Sequence, residues 1–190
     1  MYRAVGLYCL QNRIDPDDRE EVAAALADVA ITFSQSGAIQ HIHLNGRDVT
    51  ADIREHRVSD AASKVAAQEA VRDKVTALQR ELAKTVSLVM DGRDIGSAVL
   101  PGAQVKVYLD ASLEVRAQRR AGELRAKGEK VSLAAVQADI AERDYRDTHR
   151  KASPLVRLPE AVYIDSSEMS EKEVLERLLQ AVAEKGKTGE

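Results

Sequence analysis

The chain has 190 residues, 44% hydrophobic and 31% charged, with a formal net charge of −3. That length suits one domain, or one domain with an insertion, and excludes two large independent ones. No uncharged apolar run approaches the roughly 20 residues that span a bilayer, and the N-terminus lacks the order of a secretion signal, so no membrane partner and a cytoplasmic location are expected.

The lone Cys9 rules out an internal disulfide and a multi-cysteine zinc site. With 28 Lys+Arg against 31 Asp+Glu and 3% aromatic residues, the chain suits neither a nucleic-acid polymer nor a single-strand stacking surface. A small anionic ligand remains compatible, because arginines can cluster locally in a mildly acidic protein.

In chain order, Met1 to Gln11 reads as a helix that begins without a cap. Asp15-Pro16, followed by Asp17, Asp18, Glu20 and Glu21, predicts a second helix to about Ala27, with acids at the positive end of its dipole. Ile31–Phe33 and His41–Leu44 alternate apolar with polar around the turn Ser36-Gly37, which predicts an antiparallel hairpin, and Asn45-Gly46 turns the chain again. Asp60 to Ala83 is rich in helix formers, with an interruption near Ala67-Gln68.

The second half alternates β-type runs with helices. Val86–Met90, Val105–Leu109 and Ala161–Ile164 each end at an Asp (Asp91, Asp110, Asp165). Leu113–Lys127, Leu133 to about Arg150, and Glu171–Glu184 read as helices, the last opened by the capping box Ser170-x-x-Glu173. This alternation predicts an α/β fold with a parallel sheet and ligands at the carboxyl ends of its strands, which directs attention to the residues after Met90. Glu184 to Glu190 reads as a polar tail.

Asp91-Gly92-Arg93-Asp94-Ile95-Gly96 combines turn glycines with two acids around an arginine, a pattern suited to an anion beside a hydrogen-bond acceptor. A polar strand-to-helix loop with Arg93 paired to its neighbours is the plain alternative. In Glu142–Arg150, helical spacing puts Arg143, Asp147 and Arg150 on one face. Arg146 and Arg150 are like charges four apart, an arrangement that a bound phosphate would relieve. A solvated face with an Arg143–Asp147 ion pair competes with that reading.

Arg116, Arg119, Arg120 and Arg125 form a second basic group, equally readable as a cationic helix face. Ala61-Ala62-Ser63 followed by Arg72 could serve close helix packing or place a hydroxyl for a ligand. His41 and His43 could share a strand face, but no third ligand is near in sequence, so no metal site is expected. Cys9 reads as core. Gly186-Lys187-Thr188 lacks the preceding glycine and strand of a phosphate-binding loop and is rejected as one.

Together these pieces resemble the bacterial cytidylate kinases, nucleoside monophosphate kinases of the P-loop fold. The matching residues are Tyr2-Arg3, Asn45-Gly46-x-Asp48-Val49, Ile53-Arg54, Val58-x-x-Ala61-Ala62-Ser63-x-Val65-Ala66 and Val71-Arg72. They continue with Asp91-Gly92-Arg93-Asp94-x-Gly96, Val105–Ser112, Glu142-Arg143-Asp144-x-Arg146-Asp147-x-x-Arg150, Pro154-Leu155 and Asp165-Ser166.

The resemblance implies a three-layer fold in which residues 1–11 and 72–190 form the core, with lid helices at about 117–150. Residues 12–71 would form an inserted monophosphate-binding region containing the hairpin. It implies a monomer that uses ATP and Mg²⁺ to phosphorylate CMP or dCMP. By position, Ser63, Arg72 and Asp94 would read cytosine, and Arg3 and Arg93 would hold the phosphate. Arg143 and Asp147 would contact the sugar, while Arg150, with Arg93, would stand at the transferring phosphoryl group.

Members of the family also begin with a strand, a G-x-x-x-x-G-K-[ST] loop and a helix, which do not precede Met1 here. The expectation is therefore that the chain as written is a poor kinase, with Met1 an internal methionine taken as a start. A noncatalytic nucleotide-binding or regulatory relative, and a structural interaction domain, are the alternatives.

Overall fold

Helix α1 (Tyr2–Gln11) needs no capping side chain because burial holds it: Ala4, Val5, Leu7 and Cys9 all lie in the core. Burial also pushes the Cys9 thiol pKa up, as expected of a packed rather than reactive cysteine. The structure, a computed structural model, describes residues 1–37 and 39–186. It divides into two units, Met1–Leu88 and Val89–Glu190.

In the first unit the acidic start after Pro16 resolves into two successive caps. The Asp15 carboxylate accepts from Asp17 N at 3.0 Å, and Asp18 accepts from Glu20 N and Glu21 N, both at 3.0 Å. Helix α2 therefore begins at Arg19 rather than near Pro16; it runs Arg19–Ala25 and tightens into a 3-10 turn, Leu26–Asp28.

Strands β1 (Ile31–Ser36) and β2 (Ile39–Leu44) pair antiparallel, and β3 (Arg47–Asp48) adds to β2. Asn45 and Gly46 both have positive φ, 51° and 81°, the conformation this tight turn requires. The Asn45 amide accepts from Ala30 N at 2.7 Å and donates to Asp28 O at 2.8 Å, fastening the hairpin turn to the segment at the end of the 3-10 turn.

After a 3-10 turn, Asp52–Arg54, come α3 (His56–Val65) and α4 (Glu69–Thr85), broken at residues 66–68 as the sequence suggests. Helix α3 packs on α1, and Gly6 explains how closely. A Cβ there would stand 2.8 Å from Ala62 N and 3.1 Å from the Ala61 carbonyl carbon. One apolar core joins α1, α2, the hairpin, α3 and α4.

In the second unit β4 (Val107–Asp110) and β5 (Val162–Asp165) pair in parallel, with Asp110 opposite Asp165 at their carboxyl ends. The expected buried strand Val86–Met90 does not form: these residues are irregular, and Val89 is 100% exposed. A β-run is a strand only when a neighbour completes its ladder, and among the described residues β4 and β5 pair only with each other.

The segment after Asp94 is a short π-helical turn, Ile95–Val99. Helices α5 (Leu113–Ala126) and α6 (Leu133–His149) are capped by Ser112 and Ser132. They bury Ala117, Ala121, Leu124 and Val136 in a small cluster of their own. The reciprocal Ser170–Glu173 box opens α7 (Glu171–Gly186). The polar tail thus continues the helix to Gly186, and residues 187–190, including the rejected Lys187-Thr188, lie outside the described residues. No helix among the described residues is long and apolar enough to cross a membrane.

Candidate functional site

Helical spacing does put Arg143, Asp147 and Arg150 together at the end of α6, and the loop Arg93-Asp94 joins them. Asp147 is the centre of this group. Its Oδ2 accepts from Arg93 Nε at 3.0 Å and stands 3.9 Å from Arg143 Nε, while its Oδ1 lies 3.6 Å from Arg150 Nη1. Arg150 Nη2 is 3.5 Å from Asp94 Oδ1, and Arg150 Nε donates to Ser153 O at 2.8 Å. Asp94 is only 4% exposed, so water screens its pairing with Arg150 weakly.

Three guanidinium groups and two carboxylates leave this set with one net positive charge, formally suited to an anion beside a hydrogen-bond acceptor. Arg143 and Asp147 do pair, at 3.9 Å, but Asp147 is buried rather than part of the solvated face that the plainer reading of the helix expected. Each of the like charges Arg146 and Arg150 also faces carboxylates. Arg146 lies 3.8 Å from Glu142, and Arg150 turns to Asp94 and Asp147.

The second basic group is spent on internal contacts. Arg116 pairs with Asp144 and donates to Ala111 O, and Arg120 pairs with Glu123. Arg119 donates to the Ser166 hydroxyl and to the Ser166 and Met169 carbonyls, while Arg125 donates to Val131 O. Arg116, Arg119 and Arg125 tie α5 to neighbouring segments of the second unit, while the Arg120 pair lies within α5.

In the first unit Arg3 sits in the first turn of α1. Its Nη1 donates to Ile53 O at 2.8 Å and its Nη2 to Ser59 Oγ at 2.6 Å. Ser63 lies one turn beyond Ser59 on α3 and is half-buried. Arg72, 3% exposed, donates to Ala66 O at 3.2 Å and lies with its guanidinium carbon 5.6 Å from the Tyr2 ring centroid.

His41 pairs with Asp48 at 2.8 Å, and the His43 Nε2 is 2.8 Å from Ser34 Oγ, so the two imidazoles have separate partners. Asp48 is held well below the ordinary carboxylate pKa by hydrogen bonds from the Thr50 hydroxyl and N–H, then from His41.

Sequence reading missed the residues that hold the site arginines: Ser59, the Ile53 and Ser153 carbonyls, and Tyr2 as the platform for Arg72. The i,i+4 spacing of Ser59 and Ser63 on α3 was a usable signal for the first; backbone carbonyls leave none in a sequence.

A mixed α/β fold with a parallel strand pair and arginine–carboxylate pairing is the class that the structure defines, and it is consistent with a nucleoside monophosphate kinase. A family model described as cytidylate kinase matches residues 1–184. The chain is 44% identical over 182 residues to the cytidylate kinase of Pediococcus pentosaceus, covering 96% of this chain and 80% of that protein. It is 43% identical over 187 residues to the cytidylate kinase of Thermosipho melanesiensis, covering 98% and 83% respectively. The chain belongs to the cytidylate kinase family.

Proposed function

We propose that this chain transfers the terminal phosphoryl group of ATP to CMP or dCMP. The observation that carries the reading is the family match over residues 1–184. The chemistry of the side chains supports it. In this reading Arg3 and Arg93 grip the monophosphate, as guanidinium forks suit phosphate oxygens. Ser63, Arg72 and Asp94 read the base. Cytosine offers an amino donor next to acceptors, matching a carboxylate and an arginine, whereas uracil would set its O4 acceptor against the Asp94 carboxylate and leave it unpaired.

Arg143 and Asp147 contact the sugar, and Arg150 stabilises charge at the transferring group beside Arg93. Phosphoryl transfer rests on positioning and charge stabilisation, so no covalent nucleophile is needed. The P-loop arrangement, residues 12–71 as the monophosphate-binding region and the helices at about 117–150 as a mobile lid belong to the same reading, as does a monomer in the cytoplasm.

Mg²⁺ supplies charge neutralisation on ATP. The donor set on this chain does not make a cage for it: Asp94 and Asp147 face guanidinium groups, and no group of three or more candidate ligands occurs among the described residues. The ion in this reading is carried mainly by ATP phosphates.

The test is formation of CDP from ATP and CMP, with dCMP and UMP as comparisons, by the chain as written and by a form extended with any in-frame residues encoded upstream. CDP from the chain as written, with UMP a much poorer acceptor, is the expected result. Absence of CDP from both forms overturns the proposal, and activity with the extended form alone overturns it for this chain while leaving it standing for the longer one.

A further inference from the structure

Resting on the monophosphate reading above, we propose that Ser59 is a positioning residue that orients Arg3 toward the phosphate of the bound nucleotide. An arginine at the first turn of a helix has a long side chain with many rotamers, and a phosphate grip is effective only if the guanidinium fork is set beforehand. Here both terminal nitrogens are tied. Nη1 donates to Ile53 O at 2.8 Å and Nη2 to Ser59 Oγ at 2.6 Å. Two attachment points on a planar group fix its rotation as well as its place.

Both of these acceptors are neutral, so they orient the guanidinium without supplying a counter-charge. Arg93 is held differently, by the Asp147 carboxylate at 3.0 Å. The supporting elements are themselves firm. Ile53 is buried in the core, and Ser59 follows the fully buried Val58 on α3. Close approach at Gly6 brings α1 onto that helix. Ser59 thus acts through Arg3 and is not assigned any contact with the nucleotide.

Calorimetric titration of wild type, Ser59→Ala and Ser59→Thr with CMP and with cytidine tests the assignment. Loss of the hydroxyl should weaken CMP about three- to tenfold. Cytidine, which has no phosphate, should bind all three proteins alike, and threonine should restore CMP binding. In an Arg3→Met background, Ser59→Ala should cost CMP nothing further.

Equal weakening of CMP and cytidine, no weakening of CMP, or an undiminished Ser59→Ala effect without Arg3 would each overturn the inference. Wild type that binds no CMP would instead overturn the functional reading, and this inference with it.

Discussion

Asp48 shows how one exposed carboxylate can make stability depend on pH. Thr50 donates from its hydroxyl and backbone N–H and His41 adds a third partner, so the folded pKa lies below the unfolded value of about 3.9. A depressed pKa contributes stability that is whole above the unfolded value and is lost as pH falls through the folded one. The window is therefore acidic, below about pH 4. Urea unfolding of wild type and Asp48→Asn should differ most near neutral pH and converge in acid. A gap that stays constant down to the lowest pH would contradict the assignment. Asp147 illustrates the opposite limit of legibility: its partner Arg143 is one helical turn away and readable from spacing, but its 3.0 Å partner Arg93 is 54 residues distant.

Helices and turns were the most legible elements, because their signals are local. The Ser170–Glu173 box, the Asn45-Gly46 turn and the break between α3 and α4 all follow from side chains within a few residues. The small residues Ala61-Ala62 were ambiguous between packing and ligand approach. The α1–α3 contact gives them a packing role, which Gly6→Ala should expose. The gain from a better helix former, under about 1 kcal/mol, cannot offset a methyl driven against backbone atoms, which costs about 1–3 kcal/mol. Gly6→Ala should therefore lower stability by about 1–2 kcal/mol. Gly102→Ala, where a Cβ meets nothing within 4 Å, should leave it near wild type. Chemical denaturation of the two variants checks this, and equal stabilities would sink the close-packing argument.

At the scale of the whole molecule, the apolar core is unevenly shared. The first unit has one cluster running through α1, α2, the hairpin, α3 and α4, whereas α5 and α6 bury only a small cluster around Ala117, Ala121, Leu124 and Val136. Elements with fewer buried apolar contacts open at lower free energy than the global transition. Native-state hydrogen exchange should find the slowest amides in α1, α3 and α4, and faster, sub-global exchange in α5 and α6. Uniform protection across both sets would contradict that ordering. The same helices are the proposed lid, where easy opening would suit substrate entry.

Residue order alone settled the mixed α/β class, the hairpin, most helices and the alignment of Arg143, Asp147 and Arg150, because dihedral preference, capping and periodicity act over a few positions. It also carried the family resemblance, through motifs spread along the chain. Tertiary structure decided what depends on distant partners. Val86–Met90 has β-type residues and no ladder, Arg3 is set by Ile53 and Ser59, and Arg150 turns to Asp94. A strand needs a neighbour to complete its hydrogen bonds, and an arginine takes whichever acceptor packing brings within reach. Neither is written in the residues immediately around it.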